Sequence, residues 1–357
     1  MALRINYLSI FLCTLVAVSG YSPSPILAQS SSQDDYNPVF PPNAPPPNLS
    51  PLPPQRIQLE SQFPEGDLRI TALQQDNSGD LWVGSWLGLT RIDPHTGNIV
   101  SRISLPNYTI SALAQDKMNR MWVGTYKGLL RIDTRFNSSN AYRFNLPSQQ
   151  ILALLVDDRG YLWVGGDRGL ALISPHQGLL MTTLQELPGV SANALSLDTQ
   201  GQLWVGTLQG LVQVDTASAM ILERIKDIPG SVAQTITLSP QGHLWVGTPN
   251  SLLVIDPQTK DILRSVTPLV GKNVTSIRFA EDGHAWVGTN EGLLKIDSYS
   301  GAMLTQVPNL PSQRILSLSP NTAHKLWIGT REGLAWLSLS TGLVRTHEGF
   351  IVEESRN

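Results

Sequence analysis

The chain has 357 residues, 41% of them hydrophobic and 15% charged, with a formal net charge of −3. That balance suits a globular protein with a substantial core and excludes a mostly disordered chain. With no basic surplus to drive phosphate contacts, a nucleic-acid partner is not expected.

Arg4 precedes a largely apolar run over 7–18, and Ile26, Leu27 and Ala28 stand before Gln29 as a cleavage site. Residues 1–28 therefore read as a signal peptide, and the mature protein is expected to be exported, either periplasmic or extracellular. The run is short for a membrane span, and no later stretch approaches ~18–20 uninterrupted apolar residues. Membrane attachment is expected only through an uncleaved signal. Cys13 is the only cysteine and lies inside that run, so the mature chain is expected to have no disulfide and no thiolate metal site. Residues 29–54 turn to Ser, Gln, Asn and Pro, ending in PPNAPPPNLSPLPP. Proline favours extended backbone, so this is a disordered, semi-rigid spacer, with a docking peptide for a proline-recognition domain as its functional alternative.

From there one segment is written seven times. LWVGTLQGLVQVD at 203–215 is matched by LWVGSWLGLTRID, MWVGTYKGLLRID, LWVGGDRGLALIS, LWVGTPNSLLVID, AWVGTNEGLLKID and LWIGTREGLAWLS. Their tryptophans, Trp82, Trp122, Trp163, Trp204, Trp245, Trp286 and Trp327, are spaced by 40 residues once and by 41 five times. Periods near 40 with short strand patterns and turn residues signal propeller blades, whereas helical repeats would need long runs that Gly and Pro here interrupt. Four strands fit each repeat. The first covers 70–76, 110–116, 151–157, 192–198, 233–239, 274–280 and 315–321. LWVGT, GLLRID and a fourth strand such as 99–103 follow. LWVG is apolar on both faces, as expected of a sheet sandwiched between two neighbours. The glycine two places after Trp is expected to leave room for a bulky group of the next blade. The expected fold is all-β, a seven-bladed β-propeller of four-stranded antiparallel blades over 55–350, with a tail at 351–357. Either RIQLE (56–60) or LVRTHEG (343–349) would supply the outer strand of the last blade.

The LWVGTxxGLxxxD pattern resembles the two-component regulator propeller repeat over roughly 63–350. That resemblance implies the exported sensor portion of histidine-kinase receptors and detection of an extracellular ligand such as a glycan. No kinase, receiver or DNA-binding segment follows the repeats in this sequence, so a sensory role is expected to need a partner.

If the shared letters are scaffold, specificity belongs to the positions that vary. The two residues between Gly-Thr and Gly-Leu lie in the loop joining the second and third strands, on the face where blade links to blade. This places Trp86, Tyr126, Lys127, Asp167 and Arg168 around one mouth of the ring. Gln209, Asn250, Asn290, Glu291, Arg331 and Glu332 extend it, and Tyr108 and Arg314 join from the links. Aromatic surface beside amides and mixed charges suits a sugar or peptide. A monomer binding a protein or glycan ligand is expected, with no catalytic residues, no metal and no cofactor.

Three features invite an enzymatic reading. His243 and His284 stand two places before Trp, and His324 one place earlier in the next repeat. These are expected as solvated turn residues on the opposite face, without metal-ligand spacing. Asp76, Asp116, Asp157 and Asp198, six places before Trp, are expected to accept hydrogen bonds from their own turns. An envelope assembly scaffold resembling quinoprotein-like propellers is an alternative, through GLxxIDPxTG, but it lacks the Trp expected after Thr-Gly. A propeller lyase or hydrolase is a second, and the mouth face offers it no histidine in the variable pairs.

Overall fold

Each repeat folds into a four-stranded antiparallel meander, and seven meanders form the ring in the computed structural model. The described residues are 54–57, 68–133, 141–174 and 176–350. The signal segment, all but the last residue of the proline-rich spacer, and the tail lie outside them. The blades are I (70–104), II (110–144), III (151–184), IV (194–225), V (235–265), VI (274–306) and VII (315–346). First strands pack on first strands around the ring, that of blade VII against that of blade I, so they line the axis. Two 3-10 turns, Thr267–Leu269 and Glu348–Phe350, are the only helical elements among the described residues.

Burial on both faces explains the composition of the middle strands. Every residue of Leu203–Thr207 and Gly210–Val214 is buried. Trp204 shares a core with Ile228 and Ala233 of the link and with Ile236 and Val246 of the following blade, so each core belongs to a pair of sheets. The glycine after Trp leaves the expected space. A Cβ on Gly124 would stand 2.7 Å from Ile151 Cγ2 of the next blade, and one on Gly329 would stand 2.6 Å from the Ile70 carbonyl oxygen.

The aspartates do more than cap their turns. Asp198 Oδ1 accepts the amides of Gln200 and Gln202 at 2.9 and 3.0 Å, while Oδ2 accepts the indole N–H of Trp204 at 2.9 Å. Asp76, Asp116 and Asp157 do the same for Trp82, Trp122 and Trp163 at 2.9, 2.8 and 3.1 Å. A buried indole needs a partner, and in these four blades one carboxylate fixes both turn and ring. Blades are also tied laterally: the Thr71 hydroxyl donates to the Ile110 carbonyl at 2.6 Å, Ser111 to Ile151 at 2.5 Å and Thr275 to Ile315 at 2.7 Å.

Val344–Thr346 forms the outer strand of blade VII, which settles the ring's closure. Gln55–Ile57 also forms a strand, but it pairs antiparallel with Ala141–Phe144 at the outer edge of blade II. Among the described residues no strand crosses the seam between blades VII and I. Side chains close it instead: Ser317 Oγ donates to the Ile70 carbonyl at 3.1 Å and Lys325 Nζ to that of Pro94 at 2.7 Å. Arg102 donates to the Gly349 carbonyl at 3.2 Å, and His347 Nε2 lies 2.7 Å from the Gly97 oxygen. The His347 ring packs against Trp327 and Phe350.

The outer strands share one irregularity. In blades I, III, IV, V and VI the pairing of third and fourth strands slips by one residue. The residue displaced is apolar and exposed each time: Val100, Met181, Leu222, Leu263 and Leu304. Blades II and VII pair without a slip. A bulge spoils an edge for further pairing, and the added strand sits on one of the two edges that lack it.

Candidate ligand-binding face

The shared Gly-Thr builds the mouth-face loops. Thr125 Oγ1 donates to the Gly128 carbonyl at 2.7 Å and accepts the amide of Lys127 at 3.1 Å. Thr207, Thr289 and Thr330 repeat the pattern. The glycine closing the loop takes a positive φ, 104° at Gly210. Blade III has Gly166 where the others have a hydroxyl, and Ser148 of the preceding link accepts the Arg168 amide at 3.1 Å in its place.

These loops meet the inter-blade links, as the meander requires. Backbone hydrogen bonds join Tyr126 to Thr109 (3.1 Å), Asp167 to Gln150 (3.0 Å), Asn290 to Asn273 (3.3 Å) and Arg331 to Arg314 (3.1 Å). Tyr126, Lys127, Arg168, Gln209, Asn250, Glu291, Arg314, Arg331 and Glu332 are exposed, and Trp86, Tyr108, Asp167 and Asn290 half-buried.

The structure separates residues engaged locally from those turned to solvent. Asp167 Oδ1 accepts the amides of Gln149 and Gln150 at 3.1 and 3.2 Å, which makes it a brace of its own link. Glu291 is paired with Lys272 at 2.5 Å. Thr248 Oγ1 donates to Asn250 Oδ1 at 3.2 Å. Lys127 Nζ lies 5.8 Å from the centre of the Tyr108 ring. Trp86 is no bare platform, because the Arg69 guanidinium stacks on it 3.2 Å from the ring centre. Asn273 and Asn290 each bury a side-chain oxygen that has no hydrogen-bond partner among the described residues. Arg69 and Lys272 are the residues that reading the loops missed. Arg69 immediately precedes the first strand of its blade, as Gln150, Asn273 and Arg314 do, so aligning the links would have found it.

On the opposite face His284 Nδ1 lies 3.5 Å from Asp297 Oδ2. No group of three or more His, Cys, Asp and Glu is placed to hold a metal among the described residues.

Fold and repeat together define a seven-bladed propeller whose shared letters are structural and whose variable letters gather on one mouth. Three of its repeats are two-component regulator propeller repeats: the family model described as "Two component regulator propeller" matches residues 64–87, 104–127 and 145–168. No curated protein matches the chain in sequence. Among solved structures it is similar to the extracellular domain of a hybrid two component system from B. thetaiotaomicron, at 17% identity and a TM-score of 0.65. That match covers 80% of this chain and 41% of the other, so the chain spans about two fifths of that relative's length. It is also similar to virginiamycin B lyase from Staphylococcus aureus, at 16% identity and a TM-score of 0.62, covering 78% of this chain and 96% of the lyase. At these identities the likeness is one of fold.

Proposed function

We propose that the protein is an exported, monomeric, non-catalytic propeller that binds a protein or carbohydrate ligand on its mouth face and serves as a sensory or accessory module. One observation carries the reading. The residues that vary between repeats are joined, loop to link, on one face, while the residues that repeat are buried between blades. The repeat family supports it, since the sensor portions that the resemblance implies are exported. A ligand here would meet exposed tyrosine, amide and guanidinium groups, which serve an apolar ring face and its hydrogen-bonding edge together.

The test is binding by the mature protein to a glycan array and to envelope proteins, with a folded Trp86→Ala, Arg331→Glu variant beside it. A ligand retained by the wild type and lost by the variant supports the mouth face. Equal retention moves the interface to the blade edges or the spacer. Metal-dependent turnover of a bound ligand would replace the binding role with that of a lyase.

A further inference from the structure

The first strands of the seven blades line the axis, and their composition is almost free of charge. Among their described residues, Arg278, in Val274–Phe279 of blade VI, is the only one that is charged. The matching positions, each opposite the blade's tryptophan, hold Gln74, Ala114, Leu155, Ser196, Thr237 and Ser319. Three of these side chains bond to their own strand: Gln74 Nε2 donates to the Gln75 carbonyl at 2.7 Å, Ser196 Oγ to that of Leu197 at 3.3 Å and Arg278 Nη1 to that of Ile277 at 2.9 Å. The unpaired edge of an innermost strand faces the channel, so side chains folded along that edge stand at the channel wall.

Arg278 is exposed to solvent. Yet its guanidinium is held below its ordinary value by burial alone, with no contribution from a carboxylate. Both facts hold together on the axis of the ring, where the tip of the side chain stays open while first strands surround it. A guanidinium so placed keeps contact with water but has no carboxylate beside it, and the protein wall around it focuses its field on an incoming anion. Its planar fork matches the two oxygens of a carboxylate or phosphate.

We propose that the central channel binds a small oxyanion, of carboxylate or phosphate chemistry, on the guanidinium of Arg278. The site is independent of the mouth-face reading and stands whether or not that reading holds. The channel would then carry a fixed polarity: one cation on the wall of blade VI, facing neutral residues on the other six.

The experiment uses the full chain titrated at constant ionic strength with 13C-formate and, separately, inorganic phosphate, each followed by its NMR line width. Saturable broadening is expected for the wild type with at least one of the two anions, and which one responds identifies the oxyanion. Arg278→Gln is expected to weaken that binding at least tenfold. Arg224→Gln, on the outer strand of blade IV, should leave it unchanged. Arg278→Lys keeps the charge without the fork and should fall between; if the glutamine variant does not fold, the lysine variant decides. No saturable broadening in the wild type, equal binding by the Arg278 variants, or an equal loss in Arg224→Gln would overturn the proposal.

Discussion

In four of the seven blades a single carboxylate oxygen seats the tryptophan. Asp198→Ala leaves the Trp204 indole and two turn amides without their acceptor, and should cost about 1–3 kcal/mol in denaturant unfolding. Blade VI offers the converse. Ala280 occupies the aspartate's position, its turn shows the same backbone bonds as that of Asp76, and Trp286 Nε1 is buried without a partner. Ala280→Asp should therefore raise stability by about 1 kcal/mol, read as a higher urea midpoint at unchanged slope. The outer turns carry a pH dependence. Hydrogen bonds from Thr96, from Ser218 and from Ser300 are the leading causes that hold Asp93, Asp215 and Asp297 below the usual carboxylate range. Because the folded values are depressed, their contribution is present above the unfolded value of about 3.9 and disappears as pH falls through the folded ones. The urea midpoint should drop on acidification below that value, and Asp297→Asn should flatten the drop while lowering the midpoint at neutral pH. The aspartates' turn role was legible in the sequence from their spacing. Their second bond, to an indole six residues on, depends on how a hairpin folds back, which a linear pattern does not encode.

Strands divide into those the sequence describes fully and those it describes only by outline. Middle strands are buried on both sides, so their letters are fixed and repeat. Gly124→Ala would push a methyl group into Ile151 and should cost about 1–3 kcal/mol, and its cost should shrink when measured in an Ile151→Ala background. The same change at Gly165 meets the carbonyl oxygen of Ala192, so truncating a side chain should recover nothing there. Outer strands are half in water, their letters drift, and the repeated slip in their pairing is invisible without the register. Deleting Leu263 would leave Ile262 and Arg264 opposite Ile255 and Val254, the partners they already have. The repaired edge should then pair with others, giving concentration-dependent association in light scattering that the wild type lacks. The variable loops meet the inter-blade links because a meander dictates where they emerge. Their engagement was not legible: the Arg69 stack on Trp86 and the Lys272 pair with Glu291 join residues from separate segments.

At the scale of the ring, seven near-identical sheets must close without a covalent or exchanged strand. The sequence left two segments competing for the last outer strand because both are short, mixed and strand-compatible. Blade II, with its unslipped edge, takes one and blade VII the other. Ending the chain at Leu310 would uncover Trp286 on one side and Ile70 and Val83 on the other. Such a truncation should lose its cooperative unfolding transition, measured by tryptophan fluorescence, and not merely the share of signal that Trp327 and Trp336 carry.

The seam between blades VII and I is held by side chains among the described residues, whereas the other junctions add a covalent link and, between blades V and VI, a backbone bond from Val274 to the Thr248 carbonyl. A circular permutant whose ends are joined by a flexible linker and reopened at any of the links would keep each sheet whole. By the same reasoning the architecture grows or shrinks by copying a single 41-residue module, with no terminal strand to be rematched. Its diversity can therefore accumulate one mouth-face loop at a time while the ring remains intact.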